Sequence, residues 1–176
     1  MDTALRIYRK FLSAIRPVFV LTRWLTYALL VVCGLSILAM MGITVVSVFM
    51  RNTGMGGITG DLDLVESLVL VTVATALPYT TAVKGHIAIE FFFHKLNKPG
   101  RIVVDTLTRL VAIGLFVAFA VGCFRIGMRL HELDRVSNTL EMPIFWRPFV
   151  LGVCSIVAAL VILHNLLHPG REMIKP

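Results

Sequence analysis

Charge is scarce in this chain. Only 15% of its 176 residues are Asp, Glu, Lys or Arg, where water-soluble domains carry about 25%. Hydrophobic residues make up 57% and the mean hydropathy is +0.87. A soluble domain of this length could not keep so much apolar surface out of water, so lipid is the solvent for much of the protein. Cysteine is nearly as scarce. Cys33, Cys123 and Cys154 lie far apart, each in an apolar run, with no CxxC or Cys/His cluster. Neither a disulfide framework nor a zinc site is indicated, and the three read as small buried hydrophobes. Also missing are a Ser-His-Asp set, a phosphate-cradling loop and any charge at the centres of apolar runs one, two and four. Intramembrane charges mark proton relays and coupling sites. A pore or pump that worked alone would be expected to carry more of them.

What is present is four long apolar runs. An uncharged stretch from Trp24 to Met50 separates Arg23 from Arg51 and exceeds the roughly 20 residues that a helix needs to cross a bilayer. Its core is too long for a cleaved signal peptide and no small-residue cleavage site follows, so it reads as a retained signal anchor. Spans are expected at about 24–50, 62–83, 102–124 and 148–167. They form a single all-α membrane domain over residues 1–176, with the third the least clean because Asp105 and Arg109 lie near its start. Those two residues are spaced i, i+4 and can pair. Asp63 and Glu66 open the second span, where a helix N-terminus favours anions.

Basic residues give the direction. Five precede the first span (Arg6, Arg9, Lys10, Arg16, Arg23), one follows it (Arg51), and four follow the second (Lys84, Lys95, Lys98, Arg101). Four more follow the third (Arg125, Arg129, Arg135, Arg147) and two lie in the tail (Arg171, Lys175). An even number of spans puts both termini on one side, which then collects eleven cations against five. The positive-inside rule places both termini and residues 84–101 in the cytoplasm, with 51–61 and 130–147 outside. The +7 net charge is therefore an orientation signal, and no nucleic-acid partner is implied.

Two amphipathic stretches flank this frame. Residues 1–20 place Leu5, Tyr8, Leu12 and Ile15 on one helical face and basic residues on the others, as suits a helix lying on the inner leaflet. The stretch AVKGHIAIEFFFHKLNKPGR, residues 82–101, has His86, Glu90, His94 and Asn97 in one helical stripe among Ile and Phe residues. His86, Glu90 and His94 have metal-ligand spacing, but a metal needs an enclosed and supported first shell, and an interfacial connector explains the phenylalanines as well as the charges. Pro78, mid-span two, is followed by Tyr79-Thr80-Thr81. It marks either a broken helix lining a substrate site or, more commonly, a kink whose freed carbonyl is satisfied by nearby hydroxyls. Histidines also allow a haem-binding membrane anchor of a redox complex, with haem between His86 and His164 near the inner face; mid-span histidine pairs are absent.

The order of short motifs resembles the small, four-helix Q-type membrane subunit of tripartite ATP-independent periplasmic (TRAP) transporters over roughly residues 25–165. The first run ends in VFMRN, where Arg51 and Asn52 match the family's ending. The second opens with an acidic residue, Glu66, followed twenty residues on by GHIAIE, where His86, Ile87 and Glu90 match a Gly-His-Ile-x-Val-Asp pattern. The segment SNTLEMPIFWRP is similar to the family's Ser-x-x-Leu-x-Ile-Pro-x-x-x-x-x-Pro pattern, with Ser137, Leu140, Pro143 and Pro148 corresponding. Glu90 stands for the usual Asp, and Pro78-Tyr79 replaces the expected leucine and glycine.

The resemblance implies an auxiliary scaffold subunit, not an enzyme, in the bacterial cytoplasmic (inner) membrane. Its expected partners are a large multi-span transport subunit, a periplasmic substrate-binding protein and membrane lipids. Import of an organic acid would be driven by an ion gradient. No cofactor is expected, since sodium coupling would reside in the large subunit. Arg51, Asn52, Glu66, His86, Glu90, Arg135, Ser137, Leu140, Glu141 and Pro143 are then candidates for partner-interface or structural roles, with the segment around Ser137 to Trp146 facing the binding protein or the large subunit outside. A haem anchor, or a self-contained small transporter or membrane enzyme, are the alternatives.

Overall fold

The computed structural model describes residues 2–54, 56–83 and 98–167; side chains are described from Phe19 onward, except those of 98, 99, 101, 102 and 105. The described residues form four helices: α1 (Asp2–Asn52), α2 (Asp61–Ala82), α3 (Lys98–Glu132) and α4 (Trp146–Leu167). Each contains a stretch long and apolar enough to cross a membrane, and among the described residues no β-strand forms; an isolated bridge pairs Val136 with Pro143. In lipid this is the expected outcome, because a helix satisfies its backbone hydrogen bonds internally.

The helices come in two lengths. At 1.5 Å per residue, α2 and α4 are each about 33 Å long, close to the hydrocarbon thickness, whereas α3 is about 52 Å and α1 about 76 Å. The N-terminal stretch is therefore no separate element: its backbone continues into the first span as one helix. Similarly, α3 runs past Phe124 through Arg125, Arg129 and Glu132. Charge ends an apolar run but does not end a helix whose backbone bonding can continue in water. The connector 84–97, with His86, Glu90 and His94, lies outside the described residues.

Packing is that of an open layer. The order across it is α1, α2, α4, α3, with α1 touching α4 only lightly and, among the described residues, no extended contact between α1 and α3. Half of the most apolar stretch of α4 is buried, against 11–22% in the other three helices. Helix α4 buries Gly152, Cys154, Ser155, Ala158 and Ala159, small residues that let neighbouring backbones approach, as membrane helices do in the absence of a hydrophobic drive between them. One face of α1, through Thr22, Thr26, Cys33, Ser36 and Ser47, is buried, and the Cys33 thiol donates to the Thr72 carbonyl of α2. Buried hydroxyls on these helices mostly bond the carbonyl one turn back, as in Thr26 to Thr22, Ser36 to Val32 and Ser155 to Leu151, so they carry no unpaired polar atom into lipid. At one end α1, α2 and α4 converge on Phe19, Ala82 and Val161, with Tyr79, Val83 and Leu167 around them.

Pro78 is fully buried inside α2, which continues through it. Its ring removes the donor for the Ala74 carbonyl. Thr80 and Thr81 do back-bond, but to Ala76 and Leu77. The hydroxyls thus shore up the following turn and leave the Ala74 carbonyl to others.

Candidate functional site

The loops 53–60 and 133–145 meet at the same end of the helices, and the first two turns of α2 bind everything there together. Gly60, at φ 77, turns the chain into α2 in a conformation that an L side chain adopts only at a cost. Its carbonyl accepts the first helical hydrogen bond, from Leu64. Leu140 lies directly over it: a Cβ on Gly60 would fall 2.3 Å from Leu140 Cγ.

From this start α2 reaches three ways. Asp61 faces α1, accepting from Ser47 Oγ and pairing with Arg51. Asp63 faces the second loop: its Oδ2 accepts the backbone N–H of Thr139 at 2.9 Å and of Leu140 at 3.0 Å. One turn on, Arg147 at the start of α4 donates to Ser67 Oγ at 2.9 Å and to the Asp63 carbonyl at 3.4 Å, and pairs with Glu66 at 3.2 Å. Arg147 is 12% exposed and Glu66 66%, so the cation is the enclosed partner and the carboxylate the solvated one.

The loop itself is compact. Its N–H groups bond inward, Ser137 to the Met142 carbonyl (2.8 Å) and Ile144 to the Arg135 carbonyl (3.2 Å). Asp134 and Glu141 take positive φ values of 45° and 50°, a region sparsely used by residues other than glycine. Ser137 is buried, whereas Leu133, Val136 and Met142 are exposed together with Arg135 and Glu141. Behind the loop, Phe145, Phe149 and Phe124 form an aromatic ladder, with His131 against Phe145. Gly127 of α3 admits the Phe149 ring.

Several sequence candidates are thus brought together. Arg51, Glu66, Ser137, Leu140 and Pro143 belong to the fastened assembly, and Arg135 and Glu141 stand on its exposed rim. Asn52 lines an open groove beside α1 with Thr44, Val48, Phe49 and Arg51. His86 and Glu90 lie outside the described residues. Sequence reasoning placed Asp63 at a helix start but found no partner for it, and it gave no site role to Asp61, Gly60 or Ser67. The partners of Asp63 are 76 and 77 residues away, a separation that leaves no local pattern.

At the opposite end, Arg109 of α3 donates to the Asn165 carbonyl of α4, supplying one of the donors that helix C-terminal carbonyls lack. The expected partner Asp105 has no described side chain. His164 packs edge-on against Phe19, ring centroids 4.6 Å apart, beside Asn165. Among the described residues no three His, Cys, Asp or Glu side chains group as metal ligands.

A family described as "Tripartite ATP-independent periplasmic transporters, DctQ component" matches residues 40–171. No curated protein and no solved structure gives a significant match to the chain.

Proposed function

The chain belongs to this family, the DctQ components of tripartite ATP-independent periplasmic transporters, and on that footing we propose that it is the static small subunit of an ion-gradient-driven importer of an organic acid. In this reading it sits in the bacterial inner membrane with both termini in the cytoplasm and the looped end in the periplasm. A large multi-span subunit carries substrate and ions, and a periplasmic substrate-binding protein docks in part on the looped end.

One observation carries the proposal: the frame is fastened where its loops meet and leaves its apolar flanks open. Three elements are tied to the start of α2 by Asp61, Asp63 and Arg147. The buried polar side chains in the spans are mostly hydroxyls bonded to their own helices. Such an arrangement resists movement. Helices α1 and α3, at the two edges of the layer, expose apolar side chains from Val20 to Phe49 and from Val103 to Met128, which suits lipid on one side and a large hydrophobic subunit on the other.

The test is a gentle detergent purification of the tagged chain from its native host, followed by mass spectrometry. The proposal expects a stoichiometric multi-span protein of much larger size, and uptake in liposomes that needs both membrane chains plus a periplasmic binding protein. A chain that purifies alone and transports alone would overturn it.

A further inference from the structure

The loop 133–145 is built the wrong way round for a connector that only needs to be stable. Its polar Ser137 is buried, and so is the carboxylate beneath it, Asp63, 6% exposed. Its apolar Val136 and Met142 are 48% and 49% exposed, at the antiparallel turn where Ser137 bonds the Met142 carbonyl. Exposed apolar side chains rimmed by charge mark surfaces that other molecules cover. Here the rim carries both signs, Arg135 and Glu141 beside Asp134, and α3 lifts the loop on a charged extension, Arg125 to Glu132, beyond its last uncharged turn. A soluble protein fits this rim better than lipid does.

The backbone is held under strain in the same place. Glu141, at φ 50, directly follows Leu140, whose amide is one of the two bound by Asp63. Residues in the left-handed region persist where the surroundings over-determine them. Asp63 provides that determination from a different element, since a buried carboxylate is costly unless it keeps its donors.

We infer that Asp63 is a positioning residue: by accepting the Thr139 and Leu140 amide hydrogens, it holds the loop in the shape that the substrate-binding protein recognises. This role depends on the docking face proposed above. Asp63 itself, lying beneath the loop, touches no partner.

The experiment uses the complete membrane complex in nanodiscs, with the fluorescently labelled binding protein that copurifies with it. Hydrogen exchange at Thr139 and Leu140 and the dissociation constant of the binding protein are measured together. Asp63→Ala should speed exchange at both amides by about tenfold or more and weaken binding by a similar factor. Asp63→Asn, which retains an acceptor oxygen, should stay within about threefold of the native values. Asp63→Ser, too short to reach the loop yet still polar, should behave as Ala does and serves if the alanine variant fails to assemble. The surface variant Arg135→Glu is the control, expected to weaken binding with exchange unchanged. Unchanged exchange in Asp63→Ala and Asp63→Ser overturns the positioning role. Faster exchange with native affinity, while Arg135→Glu binds weakly, overturns it too but leaves the docking face standing. Native affinity in all variants removes the docking face and the positioning role with it.

Discussion

Leu140 occupies the space that a side chain on Gly60 would need: its Cγ lies 2.3 Å and its two methyls 2.6 and 2.8 Å from the position of a Cβ there. Two loops that are 80 residues apart in the chain are thereby seated on one another at the start of α2. The contact is close because residue 60 has no side chain, and residue 60 can turn with φ 77 for the same reason.

Gly60→Ala should therefore cost stability twice, through the left-handed backbone (about 1–2 kcal/mol) and through overpacking against Leu140 (about 1–3 kcal/mol). Gly56 provides the comparison. It has a similar φ of 78 with no atom of the described residues beyond its chain neighbours within 4 Å of its Cβ position, so Gly56→Ala should show only the first cost. Denaturation of the detergent-solubilised subunit would measure both. The double variant Gly60→Ala with Leu140→Ala should recover most of the difference. Equal losses for the two glycine variants would mean that Leu140 is not seated on Gly60.

Arg147 and Glu66 form an ion pair of unequal members, and their substitutions should differ accordingly. Removing the enclosed guanidinium strips Ser67 Oγ and the Asp63 carbonyl of a donor. Arg147→Ala is expected to cost about 2–3 kcal/mol, within the range for hydrogen bonds to a charged group. Glu66 is 66% exposed, and Glu66→Ala should cost no more than about 1 kcal/mol. Arg147→Lys should fall nearer to alanine than to native, because a lysine gathers its donors on one ammonium nitrogen where the forked guanidinium reaches three groups. Thermal unfolding of the three variants would rank them, and a larger loss from Glu66→Ala than from Arg147→Ala would refute this assignment.

Much of the frame was legible because lipid imposes a simple rule on sequence. The second and fourth spans, expected at about 62–83 and 148–167, correspond to helices Asp61–Ala82 and Trp146–Leu167, since in these the apolar run and the helix end together. In α1 and α3 they do not, and the helices run on through arginines and glutamates that the apolar pattern treats as boundaries. The looped end was legible in its members but not in its pairings. Arg51, Glu66, Ser137 and Leu140 stood out through motif resemblance, yet nothing local joins Glu66 to Arg147 or Asp63 to Thr139. Such pairs are created by the packing of α4 beside α2, and a one-dimensional hydrophobic pattern does not specify which helices become neighbours. Arg109 adds a pairing of this kind: its guanidinium donates to the Asn165 carbonyl on α4, while the side chain of Asp105, its i, i+4 neighbour, lies outside the described residues.

The orientation of the frame leads to the last prediction. In the proposed orientation, which rests on eleven cations against five, the looped end faces out, so cysteines introduced at the exposed positions Val136 and Met142 should react with a membrane-impermeant maleimide in right-side-out vesicles and be protected in inside-out ones. The background should be low, because Cys33, Cys123 and Cys154 are all buried and a thiol enclosed by apolar neighbours is poorly reactive. Full protection of Val136→Cys and Met142→Cys in right-side-out vesicles, with labelling in inside-out ones, would invert the topology and with it the proposed docking face. The binding protein sharpens the same measurement. If it covers this loop, adding it in excess should slow labelling at both positions. Labelling of a cysteine at Val69, exposed midway along α2, should stay negligible throughout, because lipid covers that position whichever way the subunit faces.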